Sequence, residues 1–430
     1  MDWKIEKCDK GLNGELVPPA DKSISHRAVM FGSIADGKCR VDNFLFSEDC
    51  LCTLRAFRAM GVDIAQENNS SLIVNGVGLK GLTPPGEGLY FGNSGTSMRI
   101  ISGIMAGQDF ESKLSGDVSL SRRPMKRIIE PLQRMGVKIE SSGGGFPPLK
   151  IMPSSGALKA IDYVNPVASA QVKSCVVSAG LYADGKTSLS EPYQSRDHTE
   201  RMLEHFSAEI ERNGLKTTII GGKHLRSKDI QIPGDISSAA FFIVGALILE
   251  GSELRIKGVG INPTRDGIVR VLKRMGASID VHNFQEGVEP VCDLKVSYSR
   301  LKGTTVNEAE LPLLIDEVPV LIIAALKAEG QTIIKGIPEL KVKETDRIRS
   351  MTLNLARLGT KIREKNNDLL IEGGNERFRV QELDSFGDHR IAMSMAIAAL
   401  CADGTSSILN TDCVQTSYPY FLEDLGKITA

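Results

Sequence analysis

Two carboxylates, Asp316 and Glu344, share one stretch of the chain with Lys343 and Arg347, and Arg390 follows further on. Burial raises a carboxyl pKa and neighbouring cations lower it, so acids in such company can be tuned as one acid and one base. Proton transfer beside an anionic reactant is the chemistry this set suggests. A second set lies earlier: Lys22 and Ser23 with Arg27 one helical turn on, Gly92-Asn93-Ser94-Gly95-Thr96, Arg122-Arg123-Pro124, Ser169-Ala170-Gln171 and Ser195-Arg196-Asp197-His198. Asp316-Glu317, Lys343-Glu344-Thr345-Asp346-Arg347 and Asp388-His389-Arg390 are of the same kind. Each opens an apolar or amphipathic run, which puts it at a helix start. A helix N-terminus offers free N–H groups and about half a positive charge. A guanidinium adds a planar fork matched to phosphate and carboxylate. Several such termini facing one cleft would trap a polyanion in an otherwise neutral protein. Taken singly, each has a plainer reading. Lys22 with Arg27 can be an exposed charge pair, Gly92 to Thr96 a turn with an N-cap, and Glu344 with Arg347 a pair along a helix face. Asp316-Glu317 can cap a buried helix, and His389 can be a satisfied helix-start residue.

What those clusters share is their place in a repeat. Six times the end of an amphipathic helix meets a small residue and then a β-type Ile: Met60-Gly61-Val62-Asp63-Ile64, Met135-Gly136-Val137-Lys138-Ile139, Phe206-Ser207-Ala208-Glu209-Ile210, Met275-Gly276-Ala277-Ser278-Ile279, Leu358-Gly359-Thr360-Lys361-Ile362 and Leu425-Gly426-Lys427-Ile428. Gly suits the residue just past a helix end, where positive φ is common. Upstream of each, a Gly closes an Ala-rich apolar helix: Gly37, Gly116, Gly185, Gly251, Gly330 and Gly404. Small residues at helical spacing predict helices packed closely and buried on most sides. The expected unit is strand, buried helix, strand, outer helix, strand. One offset separates Gly37 from Gly251, Gly116 from Gly330, and Pro19-Ala20-Asp21-Lys22-Ser23 from Pro233-Gly234-Asp235-Ile236-Ser237. Two halves of three units each follow, with interdomain crossings at the two Pro-x-Asp junctions. The cleft between the halves is the default site.

Composition narrows the function. At 430 residues, two or three domains are expected. Lys plus Arg number 52 against 53 Asp plus Glu, a net charge of −1, which argues against a nucleic-acid or anionic-membrane binder. The longest uncharged apolar run, Ile236 to Leu249, is shorter than the roughly 20 residues of a membrane span. The opening MDWKIEKCDK has no apolar stretch of signal-peptide type. The eight Cys include no C-x-x-C, so reduced buried thiols and no metal site are expected. No Gly-x-Gly-x-x-Gly turn and no Walker sequence appears, and no cofactor is expected. A cytoplasmic monomer acting on small anions fits these facts.

The ordered set Asp21-Lys22-Ser23-Ile24-Ser25-His26-Arg27-Ala28, Gly92-Asn93-Ser94-Gly95-Thr96-Ser97-Met98-Arg99, Arg123-Pro124, Ser169-Ala170-Gln171, Lys343-Glu344-Thr345-Asp346-Arg347 and Asp388-His389-Arg390 resembles the enolpyruvyl transferase family, from Pro18 to the end of the chain. The resemblance implies an α/β fold (α+β) of two globular domains, each of three βαβαββ units. Residues 1–20 and 235–430 would form one and 21–234 the other. It implies transfer of the enolpyruvyl group of phosphoenolpyruvate to the 5-hydroxyl of shikimate-3-phosphate, with release of phosphate through a tetrahedral intermediate, in bacterial aromatic amino-acid biosynthesis. By the same resemblance Asp316, Glu344 and Lys22 are catalytic. Lys22, Ser23, Arg27, Ser169, Gln171, Arg196, Asp316 and Lys343 would hold shikimate-3-phosphate. Lys22, Asn93, Gly95, Arg123, Gln171, Arg347 and Arg390 would hold phosphoenolpyruvate.

The chain departs from the family where Ala20 replaces a usual Gly, and where Thr416 stands in place of a Lys that many members carry. With Ser94 and Leu120-Ser121-Arg122-Arg123-Pro124, this is similar to the family's second class, known for lower sensitivity to glyphosate. Two alternatives stay open. The sister transferase acting on UDP-N-acetylglucosamine has Asn after its first catalytic Lys, where Ser23 stands here, and a loop Cys, whereas no Cys lies between Cys52 and Cys175. A non-catalytic anion-binding protein of the same fold would have lost its carboxylates, yet Asp316 and Glu344 are present.

Overall fold

In the computed structural model, which describes residues 1–154, 156–374 and 377–429, the chain forms two compact units, Ala20–Ile232 and Met1–Pro19 with Pro233–Ala430. Each has its own hydrophobic core. The first unit carries helices α1 (Lys22–Ile34), α2 (Glu48–Ala59), α3 (Gly95–Ala106), α4 (Lys126–Arg134), α5 (Ala170–Gly180) and α6 (His198–His205). The other carries α7 (Ile236–Ile248), α8 (Gly267–Arg274), α9 (Val318–Lys327), α10 (Arg347–Arg357), α11 (His389–Ala399) and α12 (Phe421–Thr429).

Odd-numbered helices are rich in Ala, Ser, Gly and β-branched residues and lack a polar face. All thirteen residues of α7 are buried, as is α1 from Ile24 to Ile34. Even-numbered helices bury one stripe: α4 buries Ile128, Ile129, Pro131 and Leu132 and keeps its charged side chains outward. Inner helices therefore form the core, and outer helices cover the sheets.

Five of the six repeats build a four-stranded sheet with a parallel pair followed by two antiparallel pairings. In the middle unit of Ala20–Ile232, Leu89–Tyr90 runs parallel to Ser112–Ser115, which pairs antiparallel with Phe146–Ile151, and that with Ile139–Ser142. This is a βαβαββ unit. The first strand of two units comes from far along the chain. Ile230–Gln231 lies parallel to Asp36–Asp42, while Asn13–Leu16 lies parallel to Glu253–Gly260. The strand preceding α1 in sequence thus belongs to the sheet that α7 covers.

The Pro-x-Asp junctions become matching helix starts. Asp21 Oδ1 accepts from the Ile24 N–H at 2.9 Å, and Asp235 Oδ1 from the Ser237 N–H at 2.8 Å. Each supplies the N-cap of a thirteen-residue helix. Past the outer helices, Gly61, Gly136, Gly276 and Gly359 take φ of 84°, 94°, 93° and 85°. Ser207, at the same place in the third unit, is held at 67°.

Several repeat landmarks differ from the expectation: Gly37 lies inside the strand Asp36–Asp42, Gly185 follows the short strand Ala183–Asp184, and Gly404 stands well past the end of α11 at Ala399. Gly116 does not close α3. That helix ends at Gly107, and Gly116 follows the strand Ser112–Ser115. A Cβ there would meet the Gly92 carbonyl at 2.7 Å. Gly426 ends no helix either, because α12 runs through it to Thr429. The strand slot beside Ser406–Leu409 is filled from the N-terminus by Trp3–Ile5, so no final strand is needed. Trp3 stacks on Phe421 of α12 with ring centroids 5.4 Å apart, and Ile428 goes into the core as a helix residue.

Candidate active site

In the unit Ala20–Ile232, the starts of α1, α3 and α5 are tied together by buried polar contacts. Lys22 opens α1, and its Nζ lies 3.0 Å from Asp49 Oδ2 on α2. Arg27, buried one turn on, donates to the Ser23 carbonyl at 2.8 Å, to Thr199 Oγ1 of α6 at 2.7 Å and to Ser174 Oγ of α5 at 2.9 Å. It is no exposed charge, since only 3% of it is accessible. Its fork fixes three helices to one another.

A hydroxyl ladder links the start of α3 to α1. Ser94, the N-cap of α3, bonds Ser97 at 2.7 Å, Ser97 bonds Thr53 at 2.6 Å, and Thr53 bonds His26 Nδ1 at 2.7 Å. Burial, then Lys22 and Arg27, hold His26 well below the ordinary histidine value of 6.5. The unfolded chain takes up this proton near that value and the folded chain does not. Stability from His26 is therefore complete above pH 6.5 and is lost as pH falls below it. The loss approaches 1.4 kcal/mol per pH unit. His26→Gln should flatten this limb: its urea midpoint should drop less than the parent's between about pH 7.5 and about pH 5.5. Equal drops would clear His26 of the effect.

Gly95 opens α3, and a Cβ there would stand 2.7 Å from Arg99 Nη1 and 3.3 Å from Arg123 Nη1. The glycine is what lets two guanidiniums close on the helix start. Arg123 Nη1 donates to the Asn93 carbonyl at 3.2 Å, and its Nη2 donates to Asn93 Oδ1 and, at 3.2 Å, to Ser119 Oγ. Arg99 Nη1 donates to Gln171 Oε1 at 2.6 Å, and Gln171 Nε2 to Thr96 Oγ1 at 3.0 Å. Ser169 caps α5, while Arg196 is half-buried two residues before α6. Lys22, Ser23, Arg27, Ser169 and Gln171 thus lie at the starts of α1 and α5, while Asn93, Gly95 and Arg123 form their own set of contacts at the start of α3.

The second cluster belongs to the other unit and centres on Arg347, the first residue of α10 and 1% exposed. Its Nε donates to Asp388 Oδ2 at 2.9 Å, Nη1 to Asp316 Oδ1 at 3.1 Å and Nη2 to Glu344 Oε2 at 2.6 Å. Burial pulls the guanidinium pKa down, and Asp388, Glu344 and Asp316 more than reverse this, so the net shift is upward. Of the five N–H donors of a guanidinium, three are engaged this way. Arg390 approaches Asp316 from the start of α11: Nη1 donates to its carbonyl at 3.2 Å, and Nη2 lies 3.5 Å from Oδ2. Lys343 is half-buried beside Glu344. The pair Glu344 and Arg347 is more than a helix-face contact, because the same guanidinium also holds Asp316 and Asp388. Thr416 lies at the end of the short turn Thr411–Thr416 and donates to the Cys413 carbonyl at 2.7 Å. Among the described residues no group of three or more His, Cys, Asp or Glu could hold a metal ion, and no helix is long and apolar enough to cross a membrane.

Carboxylates on cationic forks in one unit, and helix starts lined with cations in the other, are equipped for proton transfer on anionic substrates. The sequence of the EPSP synthase (3-phosphoshikimate 1-carboxyvinyltransferase) family matches residues 7–425. The chain belongs to the EPSP synthase family. A 3-phosphoshikimate 1-carboxyvinyltransferase from Hydrogenovibrio crunogenus is 51% identical over 420 residues, covering 96% of this chain and 94% of its own. One from Geobacter metallireducens is 50% identical over 98% of both chains. An EPSP synthase structure from Acinetobacter baumannii superposes with a TM-score of 0.88 at 46% identity, covering 99% of this chain and 98% of that one.

For this member of the EPSP synthase family, sequence reasoning missed several residues that complete the clusters. Arg265, 2% exposed, donates to Asp235 Oδ1 at 3.2 Å and Ser237 Oγ at 2.6 Å, and lies 3.6 Å from Glu317 and 4.0 Å from Asp316. It sits two residues before α8, as Arg196 does before α6, and that shared offset was the available signal. Asp49, the partner of Lys22, had no local signal, whereas Arg99, the partner of Gln171, closes the Gly92-to-Arg99 motif and was given no role.

Proposed function

We propose that these two clusters carry the reaction of the family. In that reaction the chain transfers the enolpyruvyl (carboxyvinyl) group of phosphoenolpyruvate to the 5-hydroxyl of shikimate-3-phosphate. The hydroxyl oxygen adds to C2 of phosphoenolpyruvate as C3 gains a proton. The tetrahedral adduct then loses one proton from its C3 methyl group together with phosphate, which restores the vinyl group. Ser23, Arg27, Ser169, Gln171, Arg196 and Lys343 hold shikimate-3-phosphate. Asn93, Gly95, Arg123, Gln171, Arg347 and Arg390 hold phosphoenolpyruvate, and Lys22 touches both. Asp316 takes the proton of the attacking hydroxyl, and Glu344 with Lys22 exchanges the proton at C3.

One observation carries this assignment: a single buried cation, Arg347, holds Asp316 and Glu344 on the two ends of its fork. An acid and a base fixed 3.1 and 2.6 Å from one guanidinium keep their separation through both half-reactions. The reading also includes a cytoplasmic monomer working without metal or cofactor, supported by the net charge of −1 and by eight free cysteines.

Phosphate release is the test. The protein with phosphoenolpyruvate and shikimate-3-phosphate should release phosphate in step with acceptor consumed. Turnover with UDP-N-acetylglucosamine instead would transfer the assignment to the sister activity, and release with neither would leave a binding protein.

A further inference from the structure

Lys173 is the fourth residue of α5 and 1% exposed, and no step of the reaction uses it. A buried ammonium has three donors to satisfy, and each finds an oxygen: Glu200 Oε1 at 2.8 Å, Glu191 Oε2 at 3.0 Å and the Ser195 carbonyl at 3.3 Å. Burial alone would pull this lysine down, but Glu200 and Glu191 outweigh it and the net shift is upward. The ion therefore stays charged in the core. Glu191 turns the charge outward. Its Oε1 accepts the backbone N–H of Ser169 at 3.0 Å, and its Oε2 accepts the Ser195 hydroxyl at 2.7 Å. Ser169 caps α5, and Ser195 immediately precedes Arg196. Ser174 and Thr199, which flank Lys173 and Glu200 in sequence, bond each other at 2.7 Å and both accept from Arg27.

We propose that Lys173, Glu191 and Glu200 are positioning residues for the acceptor substrate, a buried ionic triad that sets Ser169, the Ser195-Arg196 segment and Arg27 in register without touching ligand. The proposal rests on the reading that those three groups hold shikimate-3-phosphate. A merely structural triad would affect both substrates alike. A positioning triad acts on one, because Asn93, Gly95 and Arg123 hang on a separate set of contacts.

Steady-state kinetics of Glu191→Gln separates the two. Hydrogen bonds to charged groups are worth enough that losing one should raise KM for shikimate-3-phosphate about tenfold. KM for phosphoenolpyruvate should stay within about twofold. Equal rises in both, or none in either, would overturn the proposal. Ser195→Ala removes one arm of Glu191 without unbalancing a buried charge, so it reads the same effect if Glu191→Gln does not fold. It should raise KM for shikimate-3-phosphate about threefold, and an unchanged value would sink the triad's role. Arg27→Ala serves as the control. If it weakens shikimate-3-phosphate binding while Glu191→Gln and Ser195→Ala do not, the triad fails and the site reading stands. If Arg27→Ala leaves that KM unchanged, the site reading itself fails.

Discussion

Arg347→Ala should lower stability by about 3–5 kcal/mol and reduce kcat/KM by at least a thousandfold. Both effects come from one geometry. Arg347 is 1% exposed and binds Asp316, Glu344 and Asp388 through three different nitrogens. Removing it leaves three carboxylates facing one another in a space that water reaches poorly, and breaking a buried ion cluster from one side is what makes such losses large. For a unit of this size, a loss of that order lowers the melting temperature by roughly 10 °C. Arg347→Lys separates the two roles. It keeps the charge but not the fork, and one ammonium cannot take the place of three in-plane donors. Stability should recover in large part, whereas activity should stay down by about two orders of magnitude. Thermal melts with single-turnover rates decide it. An alanine variant melting within about 2 °C of the parent would show that the carboxylates do not depend on Arg347.

The contrast between what the chain disclosed and what it hid follows the range of the interactions. Helix starts were legible because their causes are local: Asp21 and Asp235 bond amides two or three residues away, and Gly61 or Gly359 answers to the backbone angle just past its own helix. The candidate residues were visible for the same reason, as polar types concentrated where apolar runs begin. Partners were not visible. Nothing near Lys173 in an Ala- and Val-rich helix announces Glu191 and Glu200, because their meeting depends on the strand Lys186–Ser190 folding back along α5 and on where α6 begins. Arg265 reaches Asp235 and Glu317 across the sequence in the same way. The misplaced landmarks have a related cause. Gly116 and Gly426 satisfy the spacing of the repeat, but one serves a strand end where a side chain would strike Gly92, and the other lies in a helix because a strand from the opposite end of the chain already occupies the neighbouring slot. Periodicity constrains positions, while long-range pairing decides what each position does.

Asp316→Asn and Glu344→Gln should each slow the chemical step by about 10²- to 10⁴-fold, and they should do so at different points. Asp316 lies 3.1 Å from Arg347, 3.5 Å from Arg390 and 4.0 Å from Arg265, while Glu344 has Arg347 at 2.6 Å and a more exposed side chain, 21% against 15%. A carboxylate flanked by three guanidiniums is fixed in place. Glu344, fixed on the same Arg347 but more exposed, is the group proposed to move the C3 proton. Asp316→Asn should therefore prevent addition, since the attacking hydroxyl keeps its proton, and a single turnover should show neither adduct nor phosphate. Glu344→Gln should impair both the protonation of C3 and its reversal. The exchange of solvent deuterium into the methylene group of phosphoenolpyruvate should then fall at least as far as net turnover. The neutral isosteres also change local charge, so stability needs measuring alongside: removing the Asp316 anion leaves cations facing one another, and a fall in melting temperature is expected there before it is expected at Glu344. If Asp316→Asn weakened substrate binding but left the single-turnover rate intact, the base would have to be sought elsewhere, and Glu344 would be the first group to test for both transfers.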